Sequence, residues 1–293
     1  MEAYVHPRES KKRTRASGER FFSVGQLFIH VCLICLIALM LYPLGIALWG
    51  AFKTNAEFNA TKWYPTLPLD FGNFATALKA LWPYILNTIF VGGVGTLGML
   101  LVSCPAAYVF ARKKFPGKNI LFMLVIALMM IPAIMTLVPS FMLYKQLVGI
   151  DTYIILILPI ITGGSVFGVF LLRGFFANIP EEIFEAAKLD GASDFGFFIR
   201  ICLPLSIPIL ATLAIMQLNG VWNDYIWPMI AVPTDVSKLT IAAAIKKEFL
   251  SGNSGSYPIL FAGYLVSSVP LIFLLVFGNK YYVEGLTNSA IKF

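Results

Sequence analysis

The stretch EEIFEAAKLDGASDFGFFIRICLPL, Glu181–Leu205, decides how this chain is read. It holds five acids (Glu181, Glu182, Glu185, Asp190, Asp194) and two bases (Lys188, Arg200), in a chain that is 58% hydrophobic and only 13% charged. Helix signals fill it. Pro180 suits a first helical position. Glu181 and Glu182 complement the dipole of the first turn, and Gly191 after Asp190 fits a left-handed cap. Ser193 can then cap a second helix that runs through Phe195–Arg200 into apolar sequence. The first helix is about ten residues, ~15 Å long.

Away from this stretch the chain is greasy. Soluble domains carry about a quarter charged residues, and here the charges are also segregated. Six stretches contain no Asp, Glu, Lys or Arg: Phe21–Phe52, Ala80–Ala111, Asn119–Tyr144, Thr152–Leu172, Ile201–Asn223 and Phe249–Asn279. Each exceeds the roughly 20 residues a helix needs to cross the hydrocarbon core. Helices are required because lipid offers an unpaired amide no partner. The expected fold is an all-α integral membrane protein with six transmembrane helices. With six spans the termini share a side, and that side carries 15 of the 22 Lys and Arg. The positive-inside bias puts both termini in the cytoplasm.

The organisation follows. Residues 1–20 are a basic cytoplasmic tail and 21–52 the first transmembrane helix. Residues 53–79 form an external loop, 80–279 a core of five helices with a cytoplasmic loop at 173–200, and 280–293 a cytoplasmic tail. The first apolar run is too long for a signal peptide and no small-residue cleavage site follows it, so it reads as a retained anchor.

Several function classes are excluded. The net charge of +7 suggests nucleic acid, but the bases flank spans rather than forming a stripe. The four cysteines (Cys32, Cys35, Cys104, Cys202) lie within apolar runs, which argues against a disulfide framework. CLIC at Cys32–Cys35 has redox spacing, yet its one polar neighbour is His30, itself expected to be satisfied or interfacial; no metal site is expected. GVGTLG at Gly93–Gly98 matches the dinucleotide fingerprint but sits mid-span, where small residues permit close helix packing. Asn59–Thr61 is a glycosylation sequon on the outer loop, too common to place the protein. No Gly-x-x-x-x-Gly-Lys-Ser/Thr occurs, so any ATP dependence must come from a partner.

The acidic loop carries a net charge of −2, while the other cytoplasmic segments are positive. Helices that lie on headgroups are normally rich in Lys and Arg, because the inner leaflet is anionic. This one more naturally points toward a protein surface with bases, and Ala186 and Ala187 leave room for close approach. Ile183, Phe184 and Ala187 keep an interfacial role open.

The spacing Glu185-Ala186-Ala187, three residues, Gly191, nine residues, Ile201-x-Leu203-Pro204 resembles the EAA signature of binding-protein-dependent ABC importer permeases. FLLRGFFANIPEEIFEAAKLDGAS before the turn, NGVWNDYIWPMI at Asn219–Ile230, YVFARKKFPGK at Tyr108–Lys118 and YYVEGLTNSAIKF at the end extend the likeness. Over roughly residues 25–293 the chain resembles the smaller permease chain of maltose-type sugar importers. It departs at the tail, where the family is usually glycine-rich and this chain has Asn288, Ser289 and Phe293.

The resemblance implies a type I ABC importer permease fold in the bacterial plasma (inner) membrane. Its partners would be a second permease chain in a heterodimer, two ATPase subunits and an extracytoplasmic solute-binding protein. ATP and Mg would be bound by the ATPase, and this chain would be non-catalytic, with no cofactor of its own. The loop would seat in a cleft of the ATPase, with Glu181, Glu182, Glu185, Ala186, Ala187, Asp190 and Gly191 as coupling residues. Motion would pass through Gly191 and the second short helix to the fifth span.

Transporter sites favour polar or interrupted segments facing the bundle interior. The fourth span has Pro159 followed by Thr162, Gly163, Gly164 and Ser165; the fifth has Gln217, Asn219, Trp222 and Asn223. Thr162, Ser165, Gln217, Asn219, Trp222 and Asn223 are therefore the candidates for the path. Interhelical hydrogen bonding by Gln217 and Asn219, and an outer aromatic belt of Trp222, Tyr225 and Trp227, remain open. The expected cargo is a carbohydrate, an oligosaccharide either neutral or acidic. The alternatives are an osmolyte or amino acid, or an ion-coupled secondary transporter. Against the last, the spans hold no carboxylate or base.

Overall fold

Apolar sequence becomes helix throughout the computed structural model, which describes residues 24–247 and 256–290. The basic tail 1–20, the start of the first run at Phe21 and the final residues 291–293 lie outside that range. In chain order the first helices are α1 (Val24–Gly50), α2 (Asn55–Ala60), α3 (Gly72–Arg112), α4 (Lys118–Met129), α5 (Ala133–Val148) and α6 (Tyr153–Ala177). The loop then forms α7 (Glu181–Leu189), α8 (Asp194–Phe197), a wide π-type turn at Phe198–Cys202, and α9 (Leu203–Leu205). Beyond it come α10 (Ile207–Asn223), α11 (Ile226–Ala231), α12 (Ile241–Ile245) and α13 (Tyr257–Ala290).

The chain divides into two units, residues 1–45 and 46–293. In the first, His30 Nδ1 lies 2.6 Å from the carbonyl of Gln26, one helical turn back, so this imidazole is met by its own backbone. The cores, cavities and loop described below lie in the second unit.

Among the described residues four helices are long and apolar enough to cross a membrane unbroken, and the count reaches six when two bent pairs are each taken as one span. The bends have proline causes. The third apolar run breaks between α4 and α5, which meet at 101°. Pro132 holds extended backbone there (φ −60°, ψ 130°) and cannot donate into the preceding turn. The amides of Met130 and Ile131 close α4 with short-range bonds to the carbonyls of Ala127 and Leu128. The fifth run bends by 71° at Ser206. Pro204 and Pro208 each lack the amide that would bond four residues back; the Ser206 amide turns to the carbonyl of Leu203 (3.0 Å), and Ser206 Oγ donates to the Cys202 carbonyl at 2.6 Å.

The frame of the unit is α3 packed along α6. A Cβ on Gly95 would come within 2.7 Å of Ile160, and one on Gly98 within 2.5 Å of Ile161. The fingerprint-like glycines thus serve close helix approach. Two apolar cores stand at opposite ends of this pair. One gathers Tyr108, Leu172, Phe176, Phe184, Ala187, Phe197 and Ile209, drawing the loop helices onto the ends of α3, α6 and α10. The other joins Val91, Ile155 and Val221 to Val232, Leu239 and Ala243. α3 begins at Gly72, ahead of its charge-free run, and α13 stays helical to Ala290, into the segment read from sequence as a tail.

On the side of α2, Lys53 is 1% exposed. Its ammonium donates to Thr61 Oγ1 (3.1 Å), to the carbonyl of Tyr64 (2.6 Å) and to that of Thr61. Asn73 Nδ2 donates to the carbonyls of Ala51 and Lys53, both at 2.9 Å. These bonds order the connection into α3.

Candidate functional site

The acidic loop folds as its caps dictate. α7 follows Pro180, which takes the capping position itself rather than the first helical one. Gly191 sits at φ +78°. The amide of Ala192 donates to the carbonyl of Ala187 (2.9 Å) and that of Gly191 to Lys188 (3.0 Å), a complete Schellman closure. Ser193 Oγ then accepts from the amide of Gly196 at 3.1 Å and starts α8.

α7 has two faces. Phe184 and Ala187 point into the bundle, with Phe184 edge-on to Phe197 at 4.7 Å. Ala187 is 6% exposed, so it serves the inner packing and offers no room to an outside partner. Glu182, Glu185, Ala186 and Asp190 lie on the exposed side, together with Leu189 at 89% exposure and Phe195 on α8 at 73%. Glu181 is turned back toward the bundle, where its Oε2 accepts from Arg112 Nη1 at 2.7 Å. Asp194 pairs with Lys113. Two of the five acids therefore face the end of α3.

Beside the second core, sharing Val91, Leu156 and Val221 with it, lies a cavity of about 750 Å³. Its walls come from α5, α6, α10 and α11, and the 101° bend places both Leu128 and Ala133 on its surface. The polar lining consists of Thr136, Ser140, Tyr144, Thr162, Gln217, Asp224 and Thr240, set among Val91, Leu137, Leu156, Ile160 and Trp227. Tyr144 Oη and Thr162 Oγ1 are 2.6 Å apart, and Tyr144 meets the Trp227 ring edge-on at 5.7 Å. Trp227 is fixed by Nε1–H donating to the carbonyl of Ile155 at 2.9 Å.

Of the six path candidates, Thr162 and Gln217 line this cavity. The other four lie elsewhere. Ser165 is buried and donates to the Ile161 carbonyl at 2.5 Å. Asn219 accepts from Asn223 Nδ2 at both its carbonyl (2.9 Å) and its Oδ1 (3.2 Å). Trp222 Nε1–H donates to the carbonyl of Ser267 on α13 at 3.1 Å, and with Asn223 it borders a smaller cavity of about 300 Å³ between α10, α12 and α13.

Thr136, Ser140 and Tyr144 were missed because they follow the break at Pro132, and without the bend they read as part of a straight span. A cue was present, since hydroxyls at four-residue intervals share one helix face.

Two aspartates carry shifted carboxyls, Asp224 in the cavity lining and Asp151 outside it. Burial pushes the Asp224 carboxyl upward, against the pull of the Trp227 and Ile226 amides that cap α11 on its Oδ1 (3.2 and 3.0 Å). Asp151 moves the other way, held down first by the Thr234 hydroxyl at 2.6 Å and then by the amide of Asp235 at 2.9 Å. Asp151 adopts φ +57°, which brings its carboxylate under that loop.

A family model described as binding-protein-dependent transport system inner membrane component matches residues 99–287. The chain is 31% identical to the arabinooligosaccharides transport system permease protein AraQ of Halalkalibacterium halodurans, over 96% of this chain and 99% of its relative. It is 30% identical to the sn-glycerol-3-phosphate transport system permease protein UgpE of Escherichia coli, over 90% and 96% of the two chains. Its fold is similar to a chain of a bacterial ABC transporter involved in the import of the acidic polysaccharide alginate. There the TM-score is 0.78 at 23% identity, covering 90% of this chain and 98% of that one.

Proposed function

Because this chain belongs to the binding-protein-dependent transport system inner membrane component family, we propose that it is the permease subunit of an ATP-driven carbohydrate importer. It sits in the bacterial inner membrane with both termini and the α7–α8 loop in the cytoplasm, beside a second permease chain. Two ATPase subunits complete the assembly, the loop seating in an ATPase cleft, and an extracytoplasmic protein delivers the solute. Chemistry on ATP and Mg belongs to the ATPase, and this chain makes and breaks no bond.

The observation that carries this reading is the two-faced α7. Phe184 and Ala187 anchor it inward, while Glu182, Glu185 and Leu189 stand exposed beyond the bundle end. Acids beside an apolar knob suit a protein cleft with basic or donor-rich walls, not an anionic headgroup layer. A sugar suits the cavity, whose aromatic rings (Tyr144, Trp227) match apolar sugar faces and whose hydroxyls and amide (Thr136, Ser140, Thr162, Gln217) match hydroxyl edges. The names of the relatives support the same class, from arabinooligosaccharides to the alpha-glucosides of a Rhizobium meliloti permease. The alginate transporter solved with a periplasmic protein supports the delivery partner.

The test is uptake of labelled neutral and uronate oligosaccharides into vesicles holding the complete complex. Uptake should require internal ATP and the binding protein, and should stop when the partner ATPase is inactivated by mutation. Uptake driven by an ion gradient without ATP would overturn the reading, as would hydrolysis that persists with every ATPase subunit inactivated.

A further inference from the structure

Both ion pairs that tie the loop to the bundle among the described residues start from the segment that closes α3, ARKKFPGK. Arg112, in the last turn of α3, has a side chain only 8% exposed, while its partner Glu181 is 62% exposed. The guanidinium fork donates to Glu181 Oε2 at 2.7 Å and to the carbonyl of Ile179. Lys113, next in sequence, pairs with Asp194. Glu181 and Asp194 are first-turn residues of α7 and α8, so the end of α3 holds both loop helices where they begin.

We infer that Arg112, supported by Lys113, is a positioning residue that makes α3 a second arm of the coupling loop. The first arm follows the chain through the π-type turn at Phe198–Cys202 and the 71° bend, a route in which regular helix is interrupted twice. α3 stays one continuous helix through Pro83 and Pro105, and at Gly95 and Gly98 it packs directly against the Ile160 and Ile161 side chains of α6. α6 in turn carries Pro159, Thr162 and Gly163 of the cavity wall. A displacement of α7 is delivered along the chain to α10 and through Arg112 to α3 and α6, so both walls of the cavity move together. Arginine suits the task because its rigid fork serves a carboxylate and a carbonyl at once and never loses its charge. Deprived of Glu181, a desolvated guanidinium is left uncompensated.

The inference rests on the loop being the ATPase-docking element, and the experiment separates the two. The complete complex in vesicles is assayed for ATPase retention and for solute moved per ATP hydrolysed, in Arg112→Gln, Glu181→Gln, the double variant, Arg112→Lys and Gly191→Val. Arg112→Gln should keep the ATPase bound yet lower solute per ATP by about fivefold or more, the low end of ordinary coupling free energies. The double variant should lose no more than the worse single, since the two residues form one link, and Arg112→Lys should recover part of the yield. Normal attachment and transport in Gly191→Val would sink the docking reading, and this inference with it. If Gly191→Val uncouples while Arg112→Gln transports at full yield, or the two single losses add, the inference fails and the docking reading stands. Should Arg112→Gln not assemble, the more exposed pair decides: unchanged yield in both Lys113→Gln and Asp194→Asn overturns the second arm, and a lowered yield in both supports it.

Discussion

Replacing Gly191 isolates backbone geometry from every other feature of the loop. A Cβ built at this position meets nothing within 4 Å, so a side chain costs only what the left-handed backbone imposes. For an L-residue that is roughly 1–2 kcal/mol, and the β-branched valine stands at the upper end. If the turn relaxes instead, it forfeits the bonds from Ala192 to Ala187 (2.9 Å) and from Gly191 to Lys188 (3.0 Å). At about 1 kcal/mol each, that is the same ~2 kcal/mol. A shift of that size changes a local equilibrium by roughly thirtyfold, enough to depopulate one orientation of α7. Gly191→Val should therefore uncouple ATP hydrolysis from transport, while Gly191→Asn, which tolerates the conformation, should stay near wild type. The assay is ATPase co-purification with solute-stimulated hydrolysis and uptake, measured on the same vesicles. Equal transport by the valine and asparagine variants, at equal ATPase content, would show that the Schellman closure does not set the orientation of the loop, and would sink the docking reading that depends on it.

Further outcomes follow from the cavity, the frame and the loop at Thr234 that Asp151 holds. Gln217→Leu should lower sugar uptake at normal expression, whereas Asn219→Ala should not, because Asn219 faces Asn223 rather than the cavity; the reverse order in an uptake assay would relocate the path. Gly95→Val should destabilise the protein by about 1–3 kcal/mol through overpacking against Ile160, and Ile160→Ala in the same chain should restore part of the loss in a thermal melt. Asp151 should contribute stability only while ionised. Its folded-state pKa is lowered, so the contribution is complete above the ordinary carboxylate value of about 3.9 and is lost as pH falls through the lower folded value. The difference in melting temperature between wild type and Asp151→Asn should accordingly be flat at neutral pH and close under strong acid; a gap that widened there would contradict the sign.

Local chemistry carried much of this protein into its sequence. Charge-free runs longer than a bilayer needs became helices because lipid leaves an amide no other partner. Gly191 and Ser193 took the roles that their positions demanded, because a left-handed cap and an N-cap depend on one residue and its immediate neighbours. The signature spacing around Glu185 pointed to the family that the chain belongs to.

Tertiary structure decided what depends on partners distant in sequence. The run around Pro132 reads as one straight span in sequence, and its 101° angle, with the entry of Tyr144 into the cavity beside Thr162, belongs to the folded chain in which α5 packs on α6. Gln217 and Asn219 look alike in sequence, two positions apart on one helix. Yet two positions turn a side chain through about 200°, so one lines the cavity and the other faces Asn223. Likewise, five acids read as one outward patch until Arg112 and Lys113 claimed Glu181 and Asp194. A side chain's type is written locally, but its direction matters only relative to what the fold brings beside it, and Arg112 lies 69 residues from Glu181 along the chain.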